Sequence, residues 1–534
     1  MLPRFQLFTS SKLFGLSSSL LASSVRSFSS TPTTASELLR SSLKDPSLTE
    51  WPEDPSSPTD EPRFPVFDPS SPTTLLAEIS TRDPKAAIEK CSDALPAWRD
   101  ETTAPHRASL LTKWSSLMTE NADDLATIMT LESGKPLAES HGEINYAKGF
   151  LDYYAAEAIR PTGAGGGFLV PSPFPGPSGG PKGQVMAVNQ AVGVAAMVAP
   201  WNFPLAMITR KVGPALAAGC TTVAKPSELT PLSAIALKHL ADRAGIPEGV
   251  FEIVTASTEG TPAVGTEFCT NPIVKKISFT GSTRVGKILM AQSSDTVKRV
   301  SMELGGNACF VVFADANVDD AVNGAMTAKF RNAGQTCVSA DRFLIHSSIH
   351  DEFVSKFSER VKTLKVGPGM HPGTEMGPLI NASGVQTITE KVKAAVKEGA
   401  TIYEEVALPE KGSGPQFYPP TVLTNVSADS EIWKTETFGP VAAIRSFETE
   451  EEALAIANDC NVGLASYMYT NDLSRAFNFA SKMEVGMVGV NEGMISSTAT
   501  PFGGVKESGI GTEGSPLGIK EYLETKYIFM KTAN

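Results

Sequence analysis

The chain has 534 residues, a formal net charge of -12, 41% hydrophobic and 19% charged residues, enough for two or three domains around a large core. The acidic balance argues against non-specific attraction to nucleic acid or anionic lipid, and no stretch approaches the roughly 20 apolar residues that span a bilayer. Six cysteines, none in a CxxC pair or at zinc spacing with His, argue against a disulfide framework or a structural metal.

Residues 1–36 carry Arg4, Lys12 and Arg26, many serines, and no Asp or Glu before Glu37. That composition predicts a mitochondrial transit peptide and a matrix location, with a polar tail on a cytoplasmic protein as the alternative. Glu37 to about Phe67 is rich in Pro, Ser and Asp and reads as a linker that packs extended. From Thr73 to about Arg160, apolar residues recur at three and four, as in PKAAIEKCSDALPAWRD and RASLLTKWSSLMTENADDLATIMTLESG. This spacing predicts helices, with Gly134 as a C-cap. Residues 161–183 are too dense in Gly and Pro for a regular element and read as a surface excursion or protruding hairpin.

Beyond them, GQVMAVNQAVGVAAMVAP predicts a pair of short strands and LAMITRKVGPALAAGC a helix. TTVAKP predicts a buried strand, TPLSAIALKHLADRAG a helix, GVFEIVTA a strand, and KKISFTGST a strand that turns into a helix. The alternation predicts an α/β fold with a doubly wound parallel sheet suited to a nucleotide. A second alternating block runs from about Ala308 to Tyr469, and the closing KEYLETKYIFMK has the composition of a strand that pairs outside its own domain.

GSTRVG, Gly281 to Gly286, follows a predicted strand and opens a helix, where the helix N-terminus favours phosphate. It lacks the first GxG of the dinucleotide fingerprint and is weak alone. Cys337 ends the loop RNAGQTC among small and polar residues, where an exposed thiol can ionise and attack a carbonyl carbon. Cys220 and Cys460 read instead as inert cysteines.

Seven segments occur in a fixed order: APWNFPL, AKPSE, FTGST, MELGGN, GQTC, ETFGP and PFGGVKESG. With them the chain resembles the aldehyde dehydrogenase superfamily from about residue 60 to the C-terminus. The resemblance implies an aldehyde dehydrogenase-like α/β fold with an NAD-binding domain over 60–162 and 186–302 and a catalytic domain over 303–490. It implies a small β oligomerisation arm from 163–185 and 491–534, and a homo-oligomer, dimer or tetramer.

The resemblance makes Cys337 the nucleophile, Glu303 the base that activates water on a thioester, and Asn202 with the Cys337 N–H the oxyanion donors. It places Trp201, Lys225, Glu228, Gly281, Ser282, Gly286, Glu436 and Phe438 at the cofactor. A carboxylate at Glu228 favours a free ribose hydroxyl over a phosphate, so NAD is expected, with NADP possible.

Arg210 and Arg331, together with Ser496, look like the substrate-carboxylate site of succinate-semialdehyde dehydrogenases, since paired guanidinium forks match two carboxylate oxygens. Surface ion pairs are the alternative for each arginine. The expected partner is a small semialdehyde. Glutarate semialdehyde, broad aldehyde oxidation, acyl transfer to CoA and a non-catalytic role on this fold are the competing readings, and Glu303 argues against CoA. Cys309 stands where Pro is common, and Ser339 where some relatives carry a second cysteine, which removes a disulfide switch at that spacing.

Overall fold

The run Val194–Val198 is apolar throughout and almost wholly buried, as a strand covered on both faces must be. It lies inside a six-stranded sheet ordered Gly509–Ile510, Arg299–Glu303, Val274–Thr280, Val194–Val198, Thr221–Lys225, Phe251–Ile253. Pairing is parallel except at Gly509–Ile510, which runs antiparallel to Arg299–Glu303. Strands are added first on one side of Val194–Val198 and later on the other, so a crevice opens beyond the carboxyl ends of Val194–Val198 and Val274–Thr280. The computed structural model describes residues 35–50, 62–160, 166–409 and 414–531. The expected transit peptide lies outside the described residues apart from its last two.

A second sheet has seven strands ordered Thr401–Glu405, Thr421–Thr424, Val441–Phe447, Ala340–His346, Ala308–Val312, Ala465–Tyr469, Met487–Val490. Only Thr401–Glu405 is antiparallel to its neighbour. Phe310 sits at its centre, with the rings of Phe343, Tyr467 and Tyr469 around it. Cys309 is fully buried in the same strand. The C-terminal strand Leu523–Lys531 pairs with Gly183–Ala191, which also takes Gly167–Pro171, in an antiparallel three-stranded sheet.

Three expectations change. Residues 161–183 do contain a regular element, the strand Gly167–Pro171, because Phe168, Leu169 and Val170 form a β-prone run; it pairs antiparallel with the next strand, Gly183–Ala191, as the hairpin alternative expected. Arg63–Asp68 and Ser71–Ser80 form an antiparallel hairpin where a linker and then a helix were expected. Phe64, Val66, Leu76 and Ile79 are its buried residues; the first strand alternates despite its Pro-rich composition, while the buried pair of the second lies three residues apart. The long helix expected around SSLMTENADDLATIM is two, Ala104–Glu120 and Ala122–Ser133, and Ala35–Ser42 is a short helix within the expected linker.

Two helices near the crevice borrow their N-terminal caps. Ala206–Ala218 has no side-chain cap of its own, and a Glu143 oxygen accepts the N–H groups of Leu205 (2.9 Å) and Ala206 (3.2 Å). Glu132 does the same for Leu232 and Ser233 (2.8 Å each), and its burial pushes its carboxyl up to about 8. A carboxylate at a helix N-terminus gains from the unsatisfied donors and from the dipole.

Gly134 ends Ala122–Ser133 with φ +79 and donates its N–H to Thr130 (2.9 Å). A Cβ there would lie 2.7 Å from Pro378 Cγ. Gly134→Ala should therefore cost about 1–3 kcal/mol, from left-handed strain and the clash, and lower the thermal midpoint by several degrees. An unchanged midpoint would contradict this reading of the turn.

Candidate active site

One cavity occupies the crevice, and most of the residues singled out in the sequence meet on its wall. The loop after Val194–Val198 supplies Trp201 and Asn202, and helix Ala206–Ala218 supplies Arg210. Gly281 and Ser282 follow Val274–Thr280; Arg331 and Cys337 come from the loop before Ala340–His346. Glu436 and Phe438 precede Val441–Phe447, and Ser496 comes from the closing segment. Glu303, Lys225, Glu228 and Gly286 are not on this wall, although Leu304 and Gly305, directly after Glu303, are.

The nucleophile loop is strained and heavily anchored. Asn332, Ala333 and Gly334 are left-handed in succession, with φ of 52°, 53° and 72°, and only glycine adopts this freely. Both oxygens of Glu139 accept the Asn332 N–H (3.0 Å each), and Gln335 Oε1 accepts Ile380 N–H (2.9 Å). Tyr467 donates its hydroxyl to Val338 O (2.7 Å) just behind the thiol. Cys337 remains partly exposed. Burial pushes its thiol up to about 12; Arg210 and Arg331 pull the other way, while Glu436 and Glu303 add to the rise.

Asn202 is buried, and its Nδ2 donates to Gln335 O (3.0 Å), which leaves one amide hydrogen for a ligand. Glu303 ends its strand buried, with no hydrogen bond to either carboxylate oxygen among the described residues. Burial, then Glu513, raises its carboxyl well above the ordinary range, and Arg210 and Lys211 oppose this. Its backbone carbonyl accepts Gly281 N–H (3.0 Å), joining the ends of the two strands.

Arg210 is fully buried, in ion-pair contact with Glu513, and 4.3 Å from the Phe502 ring centre. The ion pair is made by Nε, and Nη1 and Nη2 have no hydrogen-bond partner among the described residues. Glu513 also receives Lys211 Nζ (2.5 Å), and these two cations hold its carboxyl below the usual range despite burial. Arg331 differs: it is partly exposed, no carboxylate among the described residues pairs with it, and its guanidinium lies 5.4 Å from the Phe203 ring centre. The two arginines are therefore not equivalent, since one is already ion-paired.

Around the carboxyl ends of the six-stranded sheet the groups fit a dinucleotide. Ser282 caps helix Thr283–Ser293 by accepting Val285 N–H (3.4 Å), and the helix N-terminus faces the crevice where phosphate is favoured. Thr280 Oγ1 is buried there without a partner. Lys225 Nζ lies 3.0 Å from Glu228 Oε2 at the end of the neighbouring strand. Glu436 accepts Gly306 N–H (3.1 Å), and burial with Asp341 nearby pushes it up to about 8. Trp201 and Phe438 meet edge to face at 5.6 Å. Gly286, by contrast, serves packing, because a Cβ there would lie 2.5 Å from Leu304 Cδ2.

Lys135, Glu139, Glu143, Lys211 and Glu513 were not foreseen. Each is a charged residue in a helix or turn with no motif of its own, and only the fold reveals the burial of Lys135, Glu143, Lys211 and Glu513 and the anchoring role of Glu139.

The family model described as Aldehyde dehydrogenase family matches residues 56–528. The mitochondrial succinate-semialdehyde dehydrogenase of Homo sapiens is 51% identical over 468 residues, 87% of this chain and 85% of that protein. Glutarate-semialdehyde dehydrogenase of Pseudomonas aeruginosa is 48% identical over 453 residues, 85% of this chain and 90% of that protein. A solved structure described as an E. coli NADP dependent enzyme superposes with a TM-score of 0.86 at 43% identity, covering 92% of this chain and 100% of that one.

With the thiol pushed up to about 12, little thiolate exists at neutral pH in the free protein. Alkylation of Cys337 by iodoacetamide should accelerate about tenfold per pH unit between about pH 7 and about pH 10. A plateau already reached by about pH 8 would show that the cations outweigh burial.

Proposed function

The chain belongs to the aldehyde dehydrogenase family, and from that premise we propose that it oxidises succinate semialdehyde to succinate, with NAD as hydride acceptor and water as acyl acceptor. The observation that carries the substrate assignment is Arg331, a cation with no carboxylate partner among the described residues, on the same cavity wall as Cys337. Ser496 shares that wall, and the unmet guanidinium nitrogens of Arg210 border it. Arg331 Nη1 already donates to Met494 Sδ (2.8 Å) and Arg210 already meets Glu513; a substrate carboxylate would give the remaining guanidinium nitrogens an anionic partner, and an uncharged aldehyde would not.

The Cys337 sulfur, once deprotonated, attacks the aldehyde carbon, and the carbonyl oxygen becomes an oxyanion. The free Asn202 amide hydrogen and the Cys337 backbone N–H receive that charge. A bound nicotinamide supplies the acceptor for the hydride that the carbon loses as the thioester forms. Helix Thr283–Ser293, Lys225, Glu228 and Glu436 would hold it, and Trp201 and Phe438 would flank it. Glu303, poorly solvated and unpartnered, takes a proton from water; the oxygen attacks the thioester, and the carboxylate product leaves Cys337 as thiolate. One water is consumed, one hydride goes to the bound nicotinamide, and two protons are released.

The carboxylate of Glu228 favours NAD over NADP. Succinate semialdehyde and its homologue one methylene longer differ by only about 1–3 kcal/mol in such a pocket, so the preference between them is set by cavity length. The basic, acid-poor residues 1–36 suit import into the mitochondrial matrix. Phe168 and Leu169 in the three-stranded sheet and Phe174 in the loop after Gly167–Pro171 are more than half exposed, apolar side chains suited to contact with a second copy of the chain in a homo-oligomer.

Arg331→Ala should raise the KM for succinate semialdehyde about tenfold or more and leave the KM for butanal little changed, as expected for a lost charge-assisted hydrogen bond. Equal losses with both aldehydes would overturn the carboxylate assignment. Glu303→Gln should release about one NADH per active site in a rapid burst and then stall at the thioester. Continued turnover at the native rate would remove Glu303 from the hydrolytic step.

A further inference from the structure

The Gly134 turn directs Lys135 into the protein interior, where its side chain is 1% exposed and that of its partner Glu143 is 0% exposed. Lys135 Nζ lies 2.5 Å from Glu143 Oε2, donates to the Asn202 backbone carbonyl at 2.7 Å, and sits 4.4 Å from the Phe203 ring centre. Asn332 Nδ2 donates to the same carbonyl at 3.0 Å. The Asn202 carbonyl therefore accepts two hydrogen bonds, one from Lys135 and one from Asn332, while the Asn202 amide reaches Gln335 O.

A buried ion pair is a poor device for stability alone, because well-packed apolar side chains of similar volume do as well or better. Its geometry here points to another duty. The other oxygen of Glu143 caps the helix that carries Arg210, and Asn332 belongs to the loop that carries Cys337. Lys135 and Glu143 thus tie three separate segments to one point, the peptide that follows Asn202. Oxyanion stabilisation depends on donors held within about 0.5 Å of their productive position.

We infer that Lys135 is a positioning residue for the oxyanion-stabilising amide of Asn202, acting through the Asn202 carbonyl and braced by Glu143. The inference rests on the proposed role of Asn202.

The experiment is a double-mutant cycle in the full-length enzyme. Lys135→Met alone leaves Glu143 buried and unpaired, so Lys135→Met is combined with Glu143→Gln, which removes both charges and keeps an oxygen to cap Leu205 and Ala206. In an otherwise native enzyme this pair should lower kcat about tenfold or more, with the KM for NAD within about threefold. In an Asn202→Ala background, where the amide is gone and the carbonyl remains, the same pair should cost less than about threefold. Equal costs in the two backgrounds would mean that Lys135 acts independently of the amide and would overturn the inference. If Asn202→Ala alone leaves kcat unchanged, the oxyanion role fails first and the inference falls with it.

Discussion

Taking a carboxylate or a guanidinium out of water costs several kcal/mol unless the interior returns that energy through partners, and the centre of this molecule is built around charges returned only in part. Among the described residues Glu303 has no hydrogen bond to either oxygen, and Arg210 has none at Nη1 or Nη2. Glu513 and Lys211 share the same buried volume and keep it close to neutral. The incomplete pairing leaves each group able to respond to a ligand. Glu303 has an elevated affinity for a proton, which a base toward water needs. Arg210 retains capacity for a second anion while Glu513 keeps its charge tolerable.

Such groups work only if the chain around them is rigid. The left-handed run Asn332, Ala333 and Gly334 is held by Glu139, by the Asn202 carbonyl, and by Gln335 bonding to Ile380. The two parallel sheets place their loops against each other here, because the strand order of the six-stranded sheet reverses at this edge. Strain in the loop, anchoring by buried polar side chains and position at the reversal are one arrangement.

Much of the site was legible in the sequence because its chemistry sits in loops, where residue type is constrained by function rather than by packing. Cys337, Asn202, Arg331 and Ser496 belong to such segments, and the structure brings them to one cavity. Lys135 and Glu143 were illegible for the opposite reason. They lie in helical text where a charged residue ordinarily faces water, and nothing local marks them as buried. Glu513 is similar, a glutamate in a glycine-flanked turn whose partners lie 302 and 303 positions earlier, at Lys211 and Arg210. In the fold, the alternation of strands and helices from Val194 onward carried both sheets. Arg63–Ser80 was missed because Pro and Ser masked the alternation of its first strand, and its second strand has no strict alternation to read.

A guanidinium at Arg331 that meets no carboxylate among the described residues, on the cavity wall that carries the nucleophilic thiol, makes this a dehydrogenase of acidic aldehydes rather than of aldehydes at large. The most direct measurement is NADH formation by the native enzyme with succinate semialdehyde and with butanal under identical conditions. A kcat/KM about a hundredfold or more in favour of the acid aldehyde is predicted, the size expected of charge-assisted bonds to a carboxylate. Comparable values would contradict it, and would leave Cys337 and Glu303 with a substrate that carries no charge.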